Sequence, residues 1–180
     1  MLIIVVIMTS VVAVGYNEFR GRLSLERAAD KMAQDIRKAL ELSISSPEPP
    51  VEGSVSDFRG GYGIYFDEEE DNYMAVAHTH PGQYDRDYVQ LKKSAINPLD
   101  LEKEGLEIKE VTLENCHTSP TENLVVFFPP DPLVYIGNHV LPMGEGQGSR
   151  CDKLKVVLSI KEREEEKEVI VNKRGLVKVK

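Results

Sequence analysis

From Met1 to Asn17 no side chain carries a charge, and Leu2, Ile3, Ile4, Val5, Val6 and Ile7, then Val11, Val12 and Val14, leave no polar face on a helix built from them. Such a helix needs lipid or protein on every side. The run falls slightly short of the roughly 20 residues that cross a hydrocarbon core of ~30 Å. It also has the size of a secretory signal core, but no positive flank precedes it and no small-residue cleavage site follows. From Phe19 the pattern continues in helical register. Leu23, Leu25, Ala28, Ala29, Met32, Ile36, Ala39, Leu40 and Ile44 recur mostly at spacings of three or four, while Arg20, Arg22, Glu26, Arg27, Asp30, Lys31, Asp35, Arg37, Lys38 and Glu41 fill the remaining positions. Gly15 and Gly21 are the only helix weakeners before Pro47. The pattern predicts one helix over 1–45, some 65 Å long at ~1.5 Å rise per residue, apolar all round in its first part and amphipathic in its second. Leu25, Met32, Ile36 and Leu40 form the stripe expected to pack on a sheet. Gly15 marks either a bend or simple tolerance at a helix crossing.

Ser45-Ser-Pro-Glu-Pro-Pro50 ends that helix, because proline lacks the donor and pushes its predecessor out of the helical region. Residues 46–50 read as a proline-rich linker and 51–180 as the folded domain. The period there changes to two. Gly61–Phe66 and Tyr73–His78 read as strands around the charged loop Asp67–Asn72, and Asp87–Leu91 as a third strand. Leu106 and Ile108 share one parity and Val111 and Leu113 the other, which predicts a bulge near Lys109 or Glu110. Leu124–Phe128 has the apolar run of a buried strand, with Leu133–Ile136 beyond the Pro129–Pro132 break. Leu154, Val156, Leu158 and Ile160, then Val169 and Val171, then Val177 and Val179, form a three-stranded antiparallel meander. Strands follow strands without intervening helices, so the expected class is α+β, a long N-terminal helix on a mainly antiparallel sheet.

Composition narrows the function classes. The chain has 180 residues, 41% of them hydrophobic, a formal charge of −8 and two cysteines. That suits one globular core plus an appended element. An acidic balance disfavours nucleic acid as a partner, since phosphate neutralisation needs a positive surface. Two cysteines exclude a disulfide-framework miniprotein.

The layout of a long apolar-then-amphipathic helix leading into an antiparallel sheet with short hairpins resembles the type IV pilin and pseudopilin family. Three stretches are similar in sequence as well: Met1-Leu-Ile-Ile-Val-Val-Ile7, the Gly61-Tyr-Gly-Ile-Tyr-Phe66 strand, which is similar to the minor pilin and pseudopilin branch, and Val169-Ile-Val-Asn-Lys-Arg-Gly175 followed by Val177. The resemblance implies a structural subunit of a type IV pilus, type II secretion or DNA-uptake filament. It implies a single-pass helix held in the bacterial inner membrane before assembly, and an extracytoplasmic or cell-surface filament afterwards, with other pilin-like subunits as partners. Family precursors also carry a basic leader, a glycine–phenylalanine cut site and a glutamate just before the region like Met1-Leu2-Ile3. The expectation is that these lie upstream of Met1, where a prepilin peptidase would act; a relative that is not processed is the alternative. Both cysteines fall in the part that would be exported, and an even count fits an oxidising compartment, so Cys116 and Cys151 are expected to pair. Two buried free thiols are the alternative.

No catalytic set emerges, and the chain is read as no enzyme and without cofactor. His78-Thr-His80-Pro81 resembles the zinc motif of JAMM-type metalloproteases, but Tyr88 and Leu91 stand where that motif has serine and aspartate. A polar loop after a strand is the reading here; in a zinc site Asp85 or Asp87 would supply the third ligand. His117 and His139 complete no open-site set, and no catalytic metal is expected. Asp67–Asn72 lacks the spacing of a calcium loop and reads as a solvated hairpin tip, while calcium near Asp85 stays open. Lys173, Arg174, Lys178 and Lys180 form a basic patch without interleaved aromatics, better suited to guarding a strand edge than to stacking bases. Gly144–Gly148 reads as a flexible turn. The competing function is a non-assembling envelope protein, anchored by one helix, whose sheet domain binds a ligand or carries a metal-dependent activity.

Overall fold

One α-helix, α1, runs without interruption from Leu2 to Ser45 and stops where the proline-rich segment begins. The computed structural model describes residues 2–45, 61–78, 88–91, 96–116, 123–128, 133–137, 151–161 and 163–180; within α1 the side chains described are those of Tyr16 and of 18–45. The proline-rich linker 46–50 and the start of the sheet domain at 51–60 lie outside the described residues. Among the described residues nine strands follow: β1 (Gly61–Asp67), β2 (Asn72–His78), β3 (Tyr88–Gln90), β4 (Leu106–Glu114), β5 (Leu124–Phe128), β6 (Leu133–Ile136), β7 (Lys153–Ile160), β8 (Glu166–Asn172) and β9 (Val177–Val179). A 3-10 turn, Glu102–Glu104, precedes β4.

The strands form two antiparallel sheets rather than the one expected. The first has the order β3-β2-β1-β5-β6 and the second β4-β7-β8-β9. After β4 the chain therefore leaves the second sheet, adds β5 and β6 beside β1, and returns as β7 to pair with β4. Alternation along a strand reports which face is buried, not which neighbour it pairs with, so the split could not be read from the pattern. The β4–β7 register shifts between Ile108 and Glu110, which is where the parity change predicted a bulge.

The helix covers both sheets. Leu25, Ala28, Ala29, Met32, Ala33, Ile36 and Ala39 are buried against Tyr62, Ile64, Phe66 and Phe127 of the first sheet and Leu154, Val156, Leu158, Val169 and Val171 of the second, all in one core. Four alanines on this stripe let the backbone come close. Gly21 makes the same approach at the N-terminal end of the contact, where a Cβ would lie 3.2 Å from Ile160 Cδ1. Leu40 is only partly buried, and Phe19 and Ile44, at the two ends of the wider helical pattern, are 64% and 57% exposed. The stripe drifts round the helix because 3.6 residues per turn do not hold a fixed face over the full length.

The acidic loop between β1 and β2 is not merely a solvated tip. Asp67 Oδ1 accepts from the backbone N–H groups of Glu69 (3.0 Å) and Glu70 (3.1 Å) and so shapes the turn. Glu68 Oε1 accepts from the Val111 N–H (3.1 Å) and Asn123 Nδ2 (2.9 Å), and Asp71 Oδ1 accepts from the Ile108 N–H (3.2 Å). Asp71 also pairs with Lys161 at 3.1 Å, which raises the lysine's pKa. The hairpin of the first sheet thus satisfies donors along the free edge of β4 in the second, an edge that would otherwise be open to pairing with another chain.

Candidate functional site

The candidate site is α1 itself and what its two parts meet. Packing on the sheets begins near Gly21 and ends at Ser43, whose buried hydroxyl donates to the Phe127 carbonyl at 2.7 Å. Ahead of Gly21 the side chains of Tyr16, Glu18, Phe19 and Arg20 are exposed. At ~1.5 Å per residue, about 30 Å of helix precede Gly21. The residues read as membrane or filament packing, Leu2, Ile3, Ile4, Val5, Val6, Ile7, Val11, Val12 and Val14, lie on this part of α1, but their side chains fall outside the described ones. Among the described residues no helix is long and apolar enough to cross a membrane.

Four of the residues chosen from sequence meet the sheets: Leu25, Met32 and Ile36 in the core, Leu40 packed at its margin. Asp35 was missed. It was grouped with the polar face, yet it is 5% exposed. Lys31 Nζ donates to its carboxylate and to the Asn97 carbonyl (2.9 Å), Tyr73 Oη donates to Asp35 Oδ2 at 2.9 Å, and the Leu99 N–H donates to Tyr73 Oη at 3.1 Å. The buried carboxylate is therefore both paired and hydrogen-bonded, the condition for keeping a charge out of water. A signal was present in the sequence: Asp35 follows Met32 by three and precedes Ala39 by four, in register with the buried stripe.

This network fastens helix, β2 and the 96–101 segment together. Burial, reinforced by the adjacent Asp35 charge, pushes the Tyr73 phenol well above its ordinary range. An unfolded tyrosine ionises near pH 10, so above about pH 10 the unfolded chain releases a proton that the folded chain keeps, and stability falls as pH rises. Tyr73→Phe is expected to cost about 1–2 kcal/mol at neutral pH and to make that alkaline decline shallower. Urea unfolding of both proteins between neutral pH and about pH 11 measures it; parallel pH profiles would contradict the assignment.

Between α1 and the segment that ends in the 3-10 turn lies a cavity of about 580 Å³. Its helix wall carries Arg20, Leu23, Ser24, Arg27 and Lys31, a stripe adjacent to the one that packs on the sheets. Leu99, Lys103 and Glu104 stand opposite. Ser24 Oγ donates to Glu104 Oε2 at 2.8 Å across the gap, and Lys103 pairs with Asp100. Among the described residues Arg20 and Arg27 have no carboxylate partner, unlike Arg22, which binds Glu165 (2.8 Å) and Glu18 (3.2 Å).

Comparison with protein-family models, with curated proteins and with solved structures finds no match.

The remaining candidates divide by position. Cys116 and Cys151 are joined, with Cα atoms 4.0 Å apart, at the end of the β4–β7 ladder beside the Glu114–Lys153 pair. Among the described residues no group of three or more His, Cys, Asp and Glu side chains is placed to hold a metal ion. His78 closes β2, but its side chain, together with Thr79, His80, Pro81, Asp85, Asp87, His117, His139 and 144–148, lies outside the described residues. The basic patch is split: Lys173 binds Asp152 at 2.8 Å in the β8–β9 turn, while Lys178 and Lys180 are exposed along the edge strand β9.

Proposed function

We propose that this chain is a pilin-like structural subunit, a minor pilin or pseudopilin, that is stored in a membrane by its N-terminal helix and built into a filament through it. One observation carries the reading: a continuous 44-residue helix that packs on two sheets between Gly21 and Ser43 and also carries, ahead of that contact, the uncharged run up to Asn17. The absence of charge from Leu2 to Asn17 supports lipid or neighbouring helices as the surroundings of that run, and the same apolar surface suits both in turn. Membrane storage and filament growth then use one surface. The proline-rich stop, the antiparallel sheets and the terminal β7-β8-β9 meander support the same reading, as does the sequence similarity at Met1–Ile7 and Val169–Gly175. Prepilin peptidase, other pilin-like subunits and the inner membrane are the partners that go with it.

Mechanical shearing tests the proposal. The chain is expected in the fibre pellet released from the surface of cells that make it, together with other subunits. Recovery solely in the membrane fraction after shearing, in cells whose fibres are otherwise present, would favour the single-helix envelope protein instead.

A further inference from the structure

Arg20 and Arg27 are seven residues apart, two helical turns, and so stand on one face of α1 where both open into the 580 Å³ cavity. Every other cation described there is already engaged: Lys31 by Asp35 and Lys103 by Asp100. The one carboxylate in the lining, Glu104, accepts from the Ser24 hydroxyl through Oε2. On a chain with a formal charge of −8, two guanidiniums that have no carboxylate partner among the described residues open into one recess, where they outnumber its single carboxylate. Guanidinium forks match the geometry of phosphate oxygens. The volume lies within the few hundred Å³ that small ligands occupy. Leu23 and Leu99 add apolar surface beside the cations, which suits a phosphate carried on a glycerol or acyl framework better than a bare ion.

We propose that this cavity binds a phosphate-bearing anion, with Arg20 and Arg27 as its principal ligands and Lys103, held by Asp100 on the opposite wall, contributing less. Two sources share that chemistry, a soluble phosphate and the headgroup of an anionic phospholipid. Arg20 is three residues beyond Asn17, the last residue of the uncharged run. If that run lies in hydrocarbon, as the proposed function has it, the cavity sits at the depth of the headgroups. The inference rests on that reading for the lipid source alone.

Calorimetric titration of the full chain in nonionic micelles, at low salt, tests it with two probes: inorganic phosphate and short-chain dihexanoyl phosphatidylglycerol. Binding is expected, and Arg20→Gln/Arg27→Gln should weaken it at least ~10-fold, with Lys103→Gln weakening it less. Lys178→Gln/Lys180→Gln, which removes the same charge from β9, should change it by no more than ~2-fold. Both arginines are exposed helix positions and glutamine is a good helix former, so the folded state should survive, as circular dichroism would record. Tighter binding of the lipid assigns the headgroup; equal or tighter binding of inorganic phosphate assigns a soluble ligand. Absence of binding by either probe, or equal losses in the two double variants, would overturn the site. A chain that binds in micelles but never enters sheared fibres would refute the filament reading and leave this one standing.

Discussion

A chain lacking residues 1–19 is expected to remain a folded, soluble monomer, whereas the full chain is expected to require detergent or to assemble. The described helix contacts explain the difference. The core stripe begins at Leu25, the first ion pair to a sheet is Arg22–Glu165, and the first close approach is Gly21 to Ile160. Tyr16 and Phe19 are 60% and 64% exposed, so their loss removes little folded-state packing. The truncated chain also sheds the apolar run that would otherwise drive association. Circular dichroism and sedimentation would read both halves of the expectation. In the full chain, Val6→Arg should block entry into sheared fibres without unfolding the sheets, because a charge near the middle of an apolar helix costs ~3 kcal/mol in lipid, and more between closely packed rods. Loss of the strand signal on truncation, or normal fibre incorporation of the arginine variant, would show that folding and assembly are not divided along the helix in this way.

Replacing Cys116 and Cys151 together by serine is expected to have the other large effect, a loss of roughly 4 kcal/mol on the chain-entropy model for a separation of 35 residues. The closed loop is the excursion on which the chain leaves β4, builds β5 and β6 into the first sheet, and comes back as β7. Without the bond, the unfolded chain regains the freedom of that loop, while the folded state must still hold two sheets in place on one helix. The midpoint of denaturant unfolding should fall accordingly. Reduction of the wild-type chain should reproduce the shift, and a variant as stable as the wild type would show that the strand ladders alone set the loop's ends. Two free thiols in surface-derived protein, found by mass under non-reducing conditions, would remove the premise.

Most secondary structure was legible because the patterns are long and unambiguous. The helix is set by spacings of three and four from Phe19 to Leu40 and by the proline stop, and Leu154–Ile160 and Val169–Val171 alternate cleanly enough to place strands and their buried faces. Even the bulge in β4 was visible, since a change of side-chain parity inside one strand needs an extra residue. The sequence also carried the chemical character of the start of α1, a run up to Asn17 with no charged side chain.

Tertiary structure alone decided the partners. Which strand pairs with which depends on loop paths and on the competition among several equally good alternating strands, so two sheets appeared where periodicity indicated only antiparallel strands. Glu68 and Asp71 look like any solvated charges until the edge of β4 is brought to within hydrogen-bond reach. Asp35 is polar by type, and its burial becomes tolerable through Lys31 one turn earlier and Tyr73 from another element. The cavity between α1 and the segment before β4 was equally out of reach, because Arg20 and Arg27 are near each other in sequence while Lys103 and Leu99 join them only after the chain has laid down three strands. Local periodicity fixes the conformation of each element through nearby side chains; long-range placement is set by which buried faces and unpaired backbone groups satisfy one another, and that information is distributed over the whole chain.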